Sequence, residues 1–148
     1  MKKKLKKPRR PPNLKNPNSK TWKKRADDEW KRQILCNAFG QKMHCEVCAQ
    51  RGAANHEHQV HIHHLISRTN LRYRHDLMNG IRLCATHHNI GGWMIDICAE
   101  GDLNQVTNFE TWLCAHKYKQ WQWWMKAKED KRQKTWSYQE AFERLVNG

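Results

Sequence analysis

Two pairs of metal-type ligands limit what this 148-residue chain can fold into. Cys45 and Cys48 form a Cys-x-x-Cys pair, and Cys84 and His87 form a Cys-x-x-His pair that begins 36 residues after Cys48. Each pair fits one tight knuckle, and three sulfurs with one nitrogen suit a tetrahedral zinc ion. The sequence has six cysteines, and no apolar segment of signal-peptide type follows Lys7. The expected setting is therefore the reducing cytoplasm, where clustered cysteines bind metal more often than they form disulfides. The alternative is that Cys45 and Cys48 are unrelated small core residues. Cys36, Cys98 and Cys114 have no partner at ligand spacing and read as core or surface thiols.

Such a tie matters because the aliphatic core is thin. Only 38% of residues are hydrophobic and 28% are charged. A small hydrophilic chain gains more from a metal staple than a large apolar one does. No apolar run approaches the roughly 20 residues that span a bilayer, so no membrane partner is expected.

The net charge of +14 is concentrated at one end. Residues 1–32 hold 14 Lys/Arg and 3 acids, whereas residues 33–148 hold 14 and 11. Like charges repel and prolines interrupt any packed element, so residues 1–20 read as a disordered basic arm. Its expected role is to hold phosphate without reading sequence. A solubility or import-like tail is the competing reading.

The ten histidines are unusually clustered. His56, His58, His61, His63 and His64 fall within nine residues, and residues 59–63 alternate polar and apolar as a β-strand does. On such a strand His61 and His63 share one face, while Val60, Ile62 and His64 take the other. One imidazole at the strand end can then ligate a metal while its neighbour stays free for proton transfer. An adventitious polyhistidine tract accounts better for His56 and His58 than for His63 and His64.

In order, the chain reads Cys45-x-x-Cys48, Val60-His-Ile-His63-His64-Leu-Ile-Ser-Arg68, then Leu77-Met-Asn79-Gly-Ile-Arg-Leu83-Cys84-Ala-Thr-His87-His88-Asn89. This run, about residues 43–92, resembles the HNH endonucleases of the zinc-knuckle subgroup, especially the small phage-encoded members. The resemblance implies an α+β chain: a small ββα-metal module with a zinc knuckle, flanked by N- and C-terminal helices. It implies a metal-dependent endonuclease that hydrolyses DNA phosphodiester bonds and leaves a 5′ phosphate. By position, His63 is a ligand of the catalytic metal and His64 the general base. Asn79 ties down the loop behind that base, and His88 is the second metal ligand, with Asn89 as an alternative. Cys45, Cys48, Cys84 and His87 hold the structural zinc.

Two positions depart from the family pattern. His63 stands where most zinc-knuckle members have Asp, and nitrogen ligands favour borderline metals that take nitrogen over oxygen-seeking Mg²⁺. His87 stands where a fourth Cys is usual, and His is an equally good zinc ligand. Arg68, Arg72 and Arg74, with Arg82 beyond them, would clamp the DNA strand, because arginine forks suit phosphate. The competing reading is a solvated basic loop.

The flanks read as helices. Residues 22–42 repeat apolar positions at three- and four-residue steps, with Gly40 as the stop. That basic helix (21–42) is either a lid on the zinc module or a face laid on DNA. A ββα-type helix opens at Ala85 and breaks at Gly91-Gly92, and residues 94–98 are apolar without a clear type. Within the Trp-rich extension, 93–148, residues 108–131 read as one long helix. Residues 137–146 read as another, with Ser137 and Glu140 as a capping box. Trp112 and Trp124 read as core, and Trp123 is open between core and base stacking. The partners implied are DNA and a larger phage or host DNA-processing complex, in the host cytoplasm if the chain is phage-borne. The rival is a zinc-stabilised nucleic-acid-binding or interaction module that does not cut.

Overall fold

The computed structural model describes residues 14–50, 60–89, 109–130 and 137–148. Residues 1–13 of the arm, His56, His58, the Gly91-Gly92 break, residues 94–98 and Cys98 lie outside the described residues. The element order is α1 (Lys20–Leu35), α2 (Glu46–Gln50), β1 (Val60–His64), a 3₁₀ turn (Leu77–Asn79), β2 (Gly80–Cys84), α3 (Ala85–Asn89), α4 (Phe109–His116), α5 (Tyr118–Glu129) and α6 (Tyr138–Asn147). The fold is mixed α+β around one small antiparallel sheet. No helix among the described residues is long and apolar enough to cross a membrane.

The histidine-rich run forms β1, which pairs antiparallel with β2 in the register His63↔Ile81 and His64↔Gly80. Alternation gives each face of the hairpin its own helical cover. Ile81 and Leu83 join a core with Leu65, Phe109, Trp112, Leu113 and Trp124 from the loop, α4 and α5. Ile62 packs with Trp30, Ile34 and Leu145 from α1 and α6. Trp112 is 2% exposed and Trp124 3%, so both are core residues, as their helical spacing predicts.

α1 packs closely over Gly80, so a side chain there would have to displace the end of Ile34 and crowd Trp30. A Cβ there would collide with Ile34 Cδ1 and lie 3.0 Å from the Trp30 ring. Ala26, Trp30 and Ile34 are the buried stripe, at four-residue steps. Ser19 caps the helix by accepting from the Trp22 N–H.

Three boundaries differ from the sequence reading. Residues 14–20 belong to the fold and not to a free arm. Trp22 Nε1 donates to Leu14 O at 3.1 Å, and the Gln139 N–H donates to Pro17 O at 3.1 Å. α1 ends at Leu35 and not near Gly40, because Asn37 competes for the backbone: its Oδ1 accepts from the Phe39 and Gln41 N–H groups. The single helix expected over 108–131 breaks at Lys117, whose φ of −137° is not helical. Lys117 Nζ reaches Glu46 Oε2 at 2.6 Å, and the break lets Trp112 and Trp124 enter one core from two helices. α6 carries the capping box at Ser137 and Glu140 that its sequence predicts.

Candidate functional site

Both ligand pairs arrive at one place by local folding. Cys45 and Cys48 flank the start of α2, while Cys84 ends β2 and His87 sits on the first turn of α3. Their four ligating atoms lie within 4.8 Å of one another, and all four residues are buried. His87 Nδ1 lies 3.1 Å from Cys84 Sγ, 3.4 Å from Cys45 Sγ and 3.6 Å from Cys48 Sγ. Cys48 and Cys84 sulfurs are 3.9 Å apart. A tetrahedron with Zn–S arms of 2.3 Å has edges of about 3.8 Å, so these separations match the edges of a zinc shell. Burial pushes the Cys48 thiol up to about 12, and Cys45 and Cys84 beside it add to the rise. A divalent cation reverses that cost, because the thiolate is the ligating form. The Cys3His group can therefore hold a metal such as zinc.

The second cluster sits where the hairpin meets α3. His63 meets the edge of His88 with ring centres 5.6 Å apart, and His61 tilts against the same ring at 5.7 Å. Phe109 covers His63 from α4 at 5.6 Å. Burial, then the charge of His88, lowers the pKa of His63. His64 faces the other way, as strand alternation requires, and stacks on Trp30 at 4.5 Å with the planes 24° apart. Burial lowers the His64 pKa to about 4, with further contributions from Arg74, His63, Arg68 and His75. His64 is thus neutral at pH 7 and able to accept a proton. Among the described residues, three or more ligating atoms draw together only at the Cys3His group.

Asn79 organises the loop that follows His64. It is fully buried, and its side chain uses all its near donors and acceptors on that loop. Oδ1 accepts from the Ile66 N–H at 2.6 Å, while Nδ2 donates to Ile66 O at 3.1 Å and to Tyr73 O at 2.8 Å. Its backbone carbonyl accepts from the Leu65 N–H at 3.0 Å. From α5, Trp124 Nε1 donates to Leu65 O at 3.1 Å and Gln120 Nε2 to Met78 O at 2.8 Å. From α1, Trp30 Nε1 donates to Asp76 O at 2.9 Å.

The arginines are placed unevenly. Arg68 is exposed on the loop. Arg72 Nη1 pairs with Asp130 at 2.7 Å. Arg74 grips Asp27 through Nε at 3.0 Å and Nη2 at 3.1 Å, and donates to Arg68 O at 2.8 Å. Arg82 donates to Ile34 O and His44 O and lies against Glu46. Three of the four guanidiniums are therefore spent on holding the fold together, with only Arg68 turned to solvent. Trp123 is half-buried, with its ring edge-on to Tyr73 at 5.6 Å. Asn89 lies at the end of α3.

Sequence reasoning missed three residues around His64. Trp30 stacks on it, and Asp27, one turn earlier, accepts from Arg74 and from His75 Nε2 at 2.7 Å. No local pattern announces contacts between residues more than thirty positions apart. No protein-family model, no curated protein and no solved structure matches the chain.

Proposed function

We propose that the chain is a metal-dependent endonuclease of HNH type, acting on DNA, whose Cys3His group holds a structural zinc. One observation carries the reading: the His63 and His88 rings, from a strand end and a helix, meet 5.6 Å apart, and His64, next in the chain, is neutral on the opposite face of the strand. Two imidazoles sharing one ion at nitrogen–metal distances of 2.0–2.1 Å have ring centres roughly 5 Å apart, close to the separation of this pair, so His63 and His88 would be its ligands. Such an ion, Mg²⁺, Mn²⁺ or Ni²⁺, would neutralise charge on a phosphate oxygen and on the departing oxygen. His64 takes the proton from a water that attacks phosphorus. The bond to the 3′ oxygen breaks, leaving a 5′ phosphate and a 3′ hydroxyl. Asn79 holds the backbone on which His64 sits, and Arg68 supplies the exposed cation beside it.

The second reading, a zinc-stabilised nucleic-acid binder that does not cut, draws on a different observation. Among the described residues, only the Cys3His group gathers three or more ligating atoms. Supercoiled plasmid separates the two. Incubated with Mg²⁺, Mn²⁺ or Ni²⁺, the parent nicks it and His64→Ala does not. If no metal supports nicking while the plasmid is still bound, the binder reading stands and the nuclease reading falls.

A further inference from the structure

Between α1 and the knuckle, residues 37–41 form a turn that is rigid inside and bare outside. Five hydrogen bonds close it. The Asn37 N–H donates to Gln41 O at 2.9 Å and the Gly40 N–H to Asn37 O at 2.9 Å. Asn37 Oδ1 accepts from the Phe39 and Gln41 N–H groups at 3.0 Å each, and Asn37 Nδ2 donates to Gln41 Oε1 at 2.9 Å. A β-bridge between Cys36 and Lys42 clamps the base, and Gly40 takes the φ of +75° that the tip needs. Outward, a Cβ placed on Gly40 would meet no atom within 4 Å. Phe39 at that tip is 88% exposed, and Met43 beside it is 36% exposed.

A single exposed apolar residue is ordinary on a protein surface. Here it stands at the tip of a hydrogen-bonded turn, with partly exposed Met43 close by in the chain. α1, which leads into the turn, is cationic as a whole. α1 carries six Lys/Arg and three acids. All three acids are engaged: Asp27 by Arg74 and His75, Asp28 by Lys24, and Glu29 by Arg32. Lys20, Lys23, Arg25 and Lys31 are left without an offsetting acid on the helix. Lys31 lies one turn before the end of α1, and exposed Lys42 follows the turn directly in the chain. A projecting aromatic ring between cations matches a ligand that is a polyanion outside and a stack of apolar layers inside.

We propose that the 37–41 turn is a wedge, with Phe39 entering between two base steps of duplex DNA while Lys31 and Lys42 hold the flanking phosphates. Phe is among the residues that proteins insert in this way, unstacking a step and kinking the duplex. The inference rests on the nucleic-acid part of the proposed function and does not need cleavage.

The test uses the full zinc-loaded chain without added Mg²⁺, Mn²⁺ or Ni²⁺, and a labelled duplex carrying 2-aminopurine. Anisotropy gives affinity, and 2-aminopurine brightening reports unstacking. Phe39→Ala should weaken binding roughly tenfold and abolish brightening, with the melting temperature little changed because the residue is 88% exposed. Phe39→Trp should keep both. Lys42→Ala should instead reduce the salt slope by about one, while Phe39→Ala leaves that slope alone. If Phe39→Ala binds and brightens like the parent, the wedge is wrong while the nucleic-acid reading survives. If the parent binds no duplex at low salt, that reading falls and takes the wedge with it. If DNA binding is equal but Phe39→Ala abolishes self-association seen by sedimentation, the ring is a contact between copies, and the wedge is overturned.

Discussion

His63-His64 and His87-His88 are the same dipeptide in two settings, and the fold uses them by different rules. On β1, neighbours point to opposite faces, so His63 meets His88 while His64 meets Trp30. On α3, neighbours are turned by about 100°, so His87 enters the sulfurs while His88 stays exposed beside His63. The two resulting regions differ in kind. The knuckle is closed: its four ligands are between 1% and 7% exposed, and their ligating atoms gather at one point. The histidine rim is half-open, with His61 and His88 exposed and His63 and His64 half-buried. Structural metal sites are closed and catalytic ones keep an open position. On the proposed reading, the closed region serves folding and the half-open one chemistry.

The largest expected effect breaks the closed region. Chelation, or Cys84→Ser, should remove the cooperative melting transition, and added zinc should restore it after chelation, because metal binding and folding are one equilibrium at such sites. Circular dichroism with a metal assay checks this, and an unchanged melt after chelation would sink the structural role. Next comes the joint between the regions. Asn79→Ala leaves three backbone partners unmet in a buried setting and should cost roughly 2–4 kcal/mol in urea unfolding, with zinc content unchanged.

Asp27 tests the far side of the rim. Burial raises its pKa, but the hydrogen bonds from His75 and Arg74 outweigh that and hold the carboxyl well below the usual range. A carboxyl depressed in the fold adds stability above its unfolded pKa of about 4, and the gain drains away as pH falls below that. Stability measured from pH 7 to pH 2 should drop on the acid side. Asp27→Asn should cost roughly 1–3 kcal/mol at pH 7 and flatten that drop. A parallel curve for the variant would remove Asp27 from the account. The smallest effect lies outside both regions: Ser137→Ala should cost about 1 kcal/mol through the α6 cap and leave metal content alone.

How much of this was legible depends on range in the chain. The ligand pairs are local: Cys-x-x-Cys and Cys-x-x-His set their own geometry, so the sequence reads straight into the Cys3His group. The alternation in β1 and the capping box of α6 are local too. What failed was decided by competition or distance. The end of α1 turned on one Asn37 side chain, and the break at Lys117 on an ion pair with Glu46, about seventy residues earlier. The pairing of Arg72 with Asp130 and of Arg74 with Asp27 was equally hidden, because nothing nearby in sequence announces either partner. Trp30 against His64 was invisible for the same reason.

The division of labour meets its most direct test in the plasmid-nicking rate of zinc-loaded His64→Ala against the parent, at matched zinc content. The account predicts a rate lower by roughly 10²–10⁴, the usual worth of a general base, with the melting temperature shifted by only a few degrees. Nicking by the variant at the parental rate, or none by the parent with Mg²⁺, Mn²⁺ or Ni²⁺, would contradict it.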